Sequence, residues 1–196
     1  MQAIGNIDGK KFRVRHKIFT ISNLISLSRI VIAAPIIYLH YQAGMQTTWA
    51  VNLLIIYGVL SDYLDGIVAR MTDEISELGK TLDPLADKIS ALSLFAYLVI
   101  IGWIPWWFFY FLIARDVIIA SGAMFVRHRR GKIPMSAWPG KITINLIVLY
   151  WLSVFYMANY DQLHTVLMWI AAVAMIYSLA DYLRRFVLIL KGADFN

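Results

Sequence analysis

The chain carries a spaced acidic motif between residues 62 and 87, Asp-x2-Asp-Gly-x2-Ala-Arg-x8-Gly-x3-Asp-x3-Asp. Asp62 and Asp65 are an i, i+3 pair and Asp83 and Asp87 an i, i+4 pair, so each pair shares one face of a helix. Aspartate is costly in hydrocarbon, and acids that flank a membrane segment therefore indicate a functional site. Two antiparallel helices meeting at these faces would gather four carboxylates, which cations must neutralise unless some stay protonated.

Clustered carboxylates are suited to hard divalent cations. The chain has no cysteine, and its four histidines are scattered, so oxygen ligands and Mg²⁺ or Mn²⁺ are favoured. Two such ions about 4 Å apart form the usual clamp for displacement at phosphorus. Gly66 and Gly79 leave room for a ligand, and Arg70 can donate two hydrogen bonds to phosphate oxygens. Asp87, the last acid, is a candidate base for deprotonating an attacking hydroxyl.

The composition excludes an ordinary soluble domain. Of the 196 residues, 60% are hydrophobic and only 15% are charged, where about 25% is usual. The mean hydropathy is +0.65. With this hydrophobicity, the net charge of +6 favours anionic lipid and anionic substrates as partners, and we expect no nucleic-acid partner.

Apolar segments long enough to cross a membrane occupy most of the chain. A span needs roughly 20 mostly apolar residues, and the predicted spans are 20–42, 48–71, 80–102, 105–127, 141–160 and 164–190. We therefore predict an all-α integral membrane protein, with six transmembrane helices in a domain over residues 20–191 and a short tail over 192–196. Residues 1–19 form a basic lead-in, predicted to be amphipathic or irregular on the membrane surface. We do not expect a cleavable signal there, because the next segment is long enough to stay in the membrane.

The basic residues are distributed asymmetrically. None of the 18 Lys and Arg residues falls in the turns 43–47, 103–104 and 161–163. They collect at the opposite ends of the spans, in the lead-in, in the cluster 127–132 and near the end of the sixth span. The positive-inside rule predicts a multi-pass protein of the cytoplasmic (inner) membrane, with both termini and the acidic motif on the cytoplasmic side.

The stretch 62–87 resembles the signature of the CDP-alcohol phosphotransferases, with all eight defining positions intact. That resemblance implies a six-span, usually homodimeric membrane enzyme of phospholipid synthesis. An acceptor hydroxyl would attack the β-phosphorus of CDP-diacylglycerol, and CMP would leave. By the same resemblance Asp87 is the general base, the two divalent ions are held by Asp62, Asp65, Asp83 and Asp87, and CDP is bound by Asp65, Gly66, Ala69, Arg70 and Gly79.

Three basic residues are candidates for binding the acceptor. Arg115 lies inside the fourth span, where a charged side chain costs free energy and therefore indicates a function. Lys141 is the first residue of the fifth span, and Arg184 lies near the end of the sixth. In relatives with phosphorylated acceptors, basic residues at matching places hold the acceptor phosphate. This favours glycerol 3-phosphate or inositol phosphate as the small phosphorylated alcohol. The structural alternative for Arg115 is an ion pair with Asp116 or another buried acid.

Finer features resemble the phosphatidylglycerolphosphate synthases within this family. They are Thr20-x-x-Asn23-x-x-x-x-x-Arg29, the run from Gly79 to Lys88, and Gly140-Lys141-x-Thr143. The sequence departs from that pattern at Ser22, Ser26 and Asn145, which leaves the acceptor open. A cardiolipin synthase, with phosphatidylglycerol as acceptor, is therefore an alternative.

Two other classes of function are alternatives to an enzyme. A transporter with an acidic cation path is disfavoured, because six spans without internal symmetry do not match the paired halves typical of transporters. A membrane anchor without catalysis would not need four clustered acids. The roles of two further charged residues stay open: Arg29 either pairs with a motif aspartate or binds substrate, and Asp181 either lines the acceptor cavity or pairs with Arg115 or Arg184.

Overall fold

A computed structural model of the chain describes residues 4–7, 10–14, 21–71, 74–75, 79–131, 138–157 and 159–192. Side chains are described for residues 27–61, 85–131, 138–157 and 159–192. Six helices follow one another within those ranges: α1 (Ile21–Gln42), α2 (Trp49–Met71), α3 (Gly79–Ile100), α4 (Trp106–Arg130), α5 (Trp138–Tyr156) and α6 (Asp161–Leu190). Each helix overlaps one of the six spans predicted from the sequence, so the all-helical class and the order of elements are confirmed.

Three short strands accompany the helices. They are β1 (Ile4–Ile7), β2 (Lys10–Val14) and β3 (Glu74–Ile75), which form one small sheet in the order β1-β2-β3. β1 and β2 pair antiparallel, whereas β2 and β3 pair parallel. Within the predicted lead-in of residues 1–19, the structure has the two paired strands β1 and β2. The available signal was the Asp8-Gly9 dipeptide, because Asp-Gly is typical of two-residue hairpin turns.

Membrane character follows from helix length and composition. Within the described residues, α4, α5 and α6 are long and apolar enough to cross a membrane. α1, α2 and α3 have 22, 23 and 22 residues, and a helix of that length covers about 30 Å of hydrocarbon. Large apolar side chains are widely exposed along the helices, for example Val31, Val59, Met124 and Val173. Such exposure suits a lipid environment rather than water. The chain is an integral membrane protein.

The chain divides into two compact units, residues 1–97 and 98–196. In the first unit, one face of α1 is buried through Arg29, Ala33, Ile36 and His40, whose spacing of four, three and four residues follows the helical repeat. The start of that face contacts the start of α3, and His40 Nδ1 lies 2.7 Å from Tyr97 Oη further along both helices. Because the residue numbers at these contacts increase along both helices, α1 and α3 run in the same direction.

The second unit is built from α4, α5 and α6. Phe108 packs edge-on against Tyr150, with ring centroids 5.0 Å apart. The Thr143 hydroxyl donates to the Ala174 carbonyl at 3.0 Å, which joins α5 to α6. α4 ends at Gly131, whose φ of 65° and N–H bond to the Arg127 carbonyl form a left-handed cap. The basic residues in that last turn complement the negative end of the helix dipole.

Candidate active site

Two helices carry the acidic motif. Asp62 and Asp65 lie in the last three turns of α2, and Asp83 and Asp87 lie in the first three turns of α3. In the sequence, residues 72–78 separate those helix ends. Both segments are helical, so positions 62 and 65 in α2, and positions 83 and 87 in α3, have the spacing of neighbours on one helix face.

Most of the motif's side chains lie outside the described residues. This applies to Asp62, Asp65, Gly66, Ala69, Arg70, Gly79 and Asp83. Their assignments to metal and CDP binding therefore stay predictions. Among the described side chains, which leave out three of the four motif carboxylates, no three His, Asp or Glu groups lie close enough together to hold a metal ion.

Asp87 is the motif acid whose side chain is described. Its carboxylate is 46% exposed, and its Oδ1 lies 2.5 Å from Nη1 of Arg29, whose side chain is only 7% exposed. The Ser90 hydroxyl donates to the backbone carbonyl of Arg29 at 3.0 Å. Of the two readings of Arg29, the structure favours pairing with a motif aspartate. α1 thus contributes a buried positive charge to the acidic end of α2 and α3.

The residue types of the motif suit a divalent metal. Its four acids offer only carboxylate oxygens, the ligands that Mg²⁺ and Mn²⁺ prefer. Asp87, the one whose side chain is described, lies beside the buried positive charge of Arg29. Metal binding by the four acids stays a prediction.

Arg115 is buried in α4 and bonded to a neighbouring helix. It is 4% exposed. Its Nε and Nη2 donate to Ser178 Oγ of α6 at 3.2 and 2.9 Å, and its Nη1 donates to Asp116 Oδ1 at 2.9 Å. The ion pair with Asp116 considered in the sequence is therefore present. The contact with Ser178 is an addition that the sequence did not suggest.

Lys141 and Arg184 differ from Arg115 in their surroundings. Both are exposed, and Lys141 Nζ lies 5.5 Å from the Trp138 ring centroid. Within the described residues, no hydrogen bond or ion pair links either of them to Arg115. Arg184 lies six residues beyond Ser178 in α6, which places it on another face about 9 Å along the axis. Convergence of the three basic residues on one anion stays a prediction.

Asp181 has a partner on its own helix. Its Oδ2 accepts a hydrogen bond from Arg185 Nε at 2.8 Å, an i, i+4 pair. The pairing with Arg115 or Arg184 that the sequence left open is not the one formed. The i, i+4 spacing on a helix was the available signal.

Gly140 and Thr143 bring α5 close to α6. A Cβ added at Gly140 would lie 2.8 Å from Tyr182 Oη and 3.0 Å from its Cε2, so glycine permits the approach. The Thr143 hydroxyl lies near two carbonyls, Pro139 O in its own helix at 2.8 Å and Ala174 O in α6 at 3.0 Å. These contacts give the Gly140-Lys141-x-Thr143 pattern a packing role.

A family model, CDP-alcohol phosphatidyltransferase, matches residues 19–177 of the chain. The chain belongs to that family. The match includes the whole acidic motif, Arg29, Arg115 and Lys141, and it ends before Ser178 and Arg184. The resemblance drawn from the eight motif positions is thereby confirmed at the level of the family.

The curated relatives of the chain carry two kinds of name. The CDP-diacylglycerol–glycerol-3-phosphate 3-phosphatidyltransferase of Aquifex aeolicus is 31% identical over 87% of this chain and 98% of its own length. The cardiolipin synthase (CMP-forming) of Streptomyces coelicolor is 31% identical over 68% of this chain and 64% of its own length. Relatives in Mycobacterium tuberculosis and Mycobacterium bovis, provisionally named cardiolipin synthases, are 31% identical over 55% of this chain. The chain spans about half the length of these mycobacterial relatives, 50%.

Proposed function

We propose that the chain transfers a phosphatidyl group from CDP-diacylglycerol to glycerol 3-phosphate, with release of phosphatidylglycerol phosphate and CMP. The observation that carries this proposal is the acidic motif, which is intact in sequence, with two aspartates near the end of α2 and two near the start of α3. The Aquifex relative supports the choice of acceptor, because the similarity extends over 98% of its length. The buried Arg115 offers positive charge for a phosphorylated acceptor.

The chemistry assigns separate tasks to the motif residues. Asp62, Asp65, Asp83 and Asp87 would hold two divalent ions, which neutralise the diphosphate and stabilise charge on the oxygens at phosphorus. Asp65, Gly66, Ala69, Arg70 and Gly79 would bind the CDP moiety. Asp87 accepts the proton of the acceptor hydroxyl, whose oxygen forms a bond to the β-phosphorus. The bond from that phosphorus to the CMP oxygen breaks, and CMP leaves.

Arg29 holds Asp87 ready for this role. The guanidinium contacts one carboxylate oxygen of Asp87, and a carboxylate can serve two partners through its two oxygens. The ion pair therefore orients the Asp87 carboxylate.

Membrane orientation and assembly belong to the same proposal. The asymmetric distribution of Lys and Arg supports a cytoplasmic (inner) membrane location, with both termini and the active site on the cytoplasmic side. Glycerol 3-phosphate and the CDP group are water-soluble and anionic, so a site open to the cytoplasm would meet both. We expect a homodimer, which cross-linking of the purified protein in detergent would detect.

Transfer to phosphatidylglycerol, giving cardiolipin, is the second candidate. Its support is the name of the Streptomyces relative, which covers 68% of this chain. Both reactions use the same donor and release the same CMP. They differ in whether the acceptor is a small water-soluble phosphate or a lipid, so a panel of acceptors separates them.

The decisive experiment incubates purified protein with CDP-diacylglycerol, Mg²⁺ and one acceptor at a time. The acceptors are radiolabelled glycerol 3-phosphate, inositol phosphate and phosphatidylglycerol. We expect CMP and labelled lipid with glycerol 3-phosphate, loss of both after addition of EDTA, and recovery with excess Mg²⁺ or Mn²⁺. CMP release only with another acceptor would contradict the acceptor assignment, and no CMP with any acceptor would contradict the transfer itself.

A further inference from the structure

Ser178 holds one side of the Arg115 guanidinium. Its Oγ accepts hydrogen bonds from both Nε and Nη2, at 3.2 and 2.9 Å. Ser178 is fully buried and Arg115 is 4% exposed. The two residues come from different helices, α6 and α4. The contact therefore fixes the guanidinium plane by means of a second helix.

Two of the five N–H groups of Arg115 are left over by these contacts. Ser178 takes one from Nε and one from Nη2, and Asp116 takes one from Nη1. Arginine has five donors in a rigid planar fork, and no other hydrogen bond to this side chain occurs among the described residues. Each terminal nitrogen thus keeps one N–H that no described residue accepts, and such a group can donate to a phosphate oxygen.

The hydroxyl of Ser178 is suited to orient a cation without cancelling its charge. An arginine can only donate, so the serine oxygen must accept, and its own proton is directed to the Met175 carbonyl at 3.4 Å. A carboxylate at this position would bind Arg115 as well, but it would neutralise it. Asp116 is 39% exposed, and solvent weakens its attraction to Arg115. Much of the guanidinium's attraction for an anion is therefore retained.

We propose that Ser178 is a positioning residue that sets the Arg115 guanidinium to bind the phosphate of the acceptor. The proposal rests on the phosphatidyl transfer proposed above and names a residue beyond the segment matched by the family model, residues 19–177. Ser178 acts through Arg115 and does not itself touch the reacting atoms. Its effect belongs in acceptor binding, since the orientation of Arg115 determines where a phosphate can be held.

The test compares Ser178→Ala with a matched control in the phosphatidyl-transfer assay. Ser153→Ala is the control, because Ser153 is also buried and also donates to a carbonyl three residues earlier, Tyr150 O at 2.7 Å. We expect Ser178→Ala to raise the KM for glycerol 3-phosphate about tenfold, because loss of a hydrogen bond to a charged group lowers affinity by about that factor. The KM for CDP-diacylglycerol and kcat should stay within about twofold, and Ser153→Ala should leave all three unchanged.

Two further variants distinguish positioning from general destabilisation. Ser178→Thr keeps the accepting oxygen and should restore most of the acceptor affinity. In the Arg115→Ala background, Ser178→Ala should add nothing to the acceptor KM, because the residue it positions has gone. An additive effect in that background, or an equal rise in both KM values, would overturn the proposal.

A wild-type protein inactive with every acceptor would overturn the transfer, and the proposal with it. An active wild type with an unchanged acceptor KM in Ser178→Ala would overturn only the role of Ser178.

Discussion

Asp87 and Arg115 illustrate how differently two charged residues are stabilised in this chain. Asp87 is half-exposed and contacts the buried Arg29 across two helices. Arg115 is buried and is held by a neutral hydroxyl and a partly exposed acid. The cost of charge in an apolar bundle is reduced by close partners in both cases. Buried ion pairs are weak evidence for stability alone, and both arrangements suit a site for charged ligands.

Replacing Asp87 tests the base. Asp87→Asn keeps the shape of the side chain and removes the proton acceptor, so we expect kcat to fall about 10²-fold or more, the range for general base catalysis. Binding of CDP-diacylglycerol should be largely retained, as measured by equilibrium binding of the labelled lipid. Asp161→Asn, a change of the same kind outside the motif, is the control and should keep wild-type turnover. Wild-type turnover in Asp87→Asn would remove Asp87 from the mechanism.

Replacing Arg29 tests the link between the ion pair and the metal. Arg29→Ala removes the cation beside Asp87, so the metal-free protein should unfold at a lower temperature than wild type. Mg²⁺ then supplies the missing positive charge, and the rise in melting temperature on adding Mg²⁺ should be larger in Arg29→Ala than in wild type. Thermal unfolding in detergent, with and without Mg²⁺, measures both quantities.

Arg185→Ala is the matched control for Arg29. It also breaks an ion pair between an arginine and an aspartate, Asp181 at 2.8 Å, but the aspartate lies outside the motif. Its melting temperature should respond to Mg²⁺ as wild type does. The same Mg²⁺ response in Arg29→Ala as in wild type would show that Asp87 takes no part in metal binding.

At the scale of elements, close approach between helices depends on small residues. Gly122 of α4 faces the ring of Phe186 in α6, which is 5% exposed and packs with Val126 and Ile189. A Cβ added at Gly122 would come within 3.0 Å of that ring. Gly140 plays the corresponding part between α5 and α6. Together with the Thr143 hydroxyl, these contacts determine how α6, the helix that carries Ser178, packs against α4 and α5.

Gly122→Ala is expected to destabilise the second unit. The methyl group must displace a buried ring, which costs about 1–3 kcal/mol by overpacking. Gly58→Ala is the control, since a Cβ at Gly58 meets nothing within 4 Å, and alanine in a helix is more stable than glycine by up to about 1 kcal/mol. Thermal unfolding in detergent should move in opposite directions for the two variants. A Gly122→Ala protein as stable as wild type would contradict the packing described for α4 and α6.

At the scale of the whole molecule, the long apolar segments were enough to predict the six helices. Each predicted span is a run of roughly 20 mostly apolar residues. The acidic motif could be placed on helices for the same reason. Of the two partners of Arg115, Asp116 was foreseen, but Ser178 could not be predicted, because it is distant in sequence and a serine in an apolar helix gives no signal of its own. For Arg29, pairing with a motif aspartate was one of two alternatives from the sequence, and identifying Asp87 as the partner required the packing of α1 against α3.

Orientation is a property of the whole chain, and the absence of cysteine makes it directly measurable. Single cysteines at Met45→Cys and Lys191→Cys place a thiol in a turn without basic residues and at the basic end of α6. A membrane-impermeant thiol reagent added to intact cells should label the protein only at position 45, because the positive-inside rule places position 191 in the cytoplasm. Permeabilised cells should label at both positions, which controls for accessibility. Labelling of position 191 in intact cells would invert the topology and place the acidic motif outside, away from cytoplasmic CDP-diacylglycerol and glycerol 3-phosphate. The same labelling result therefore tests the topology inferred from the charge distribution, the side on which the motif lies and its access to the proposed substrates.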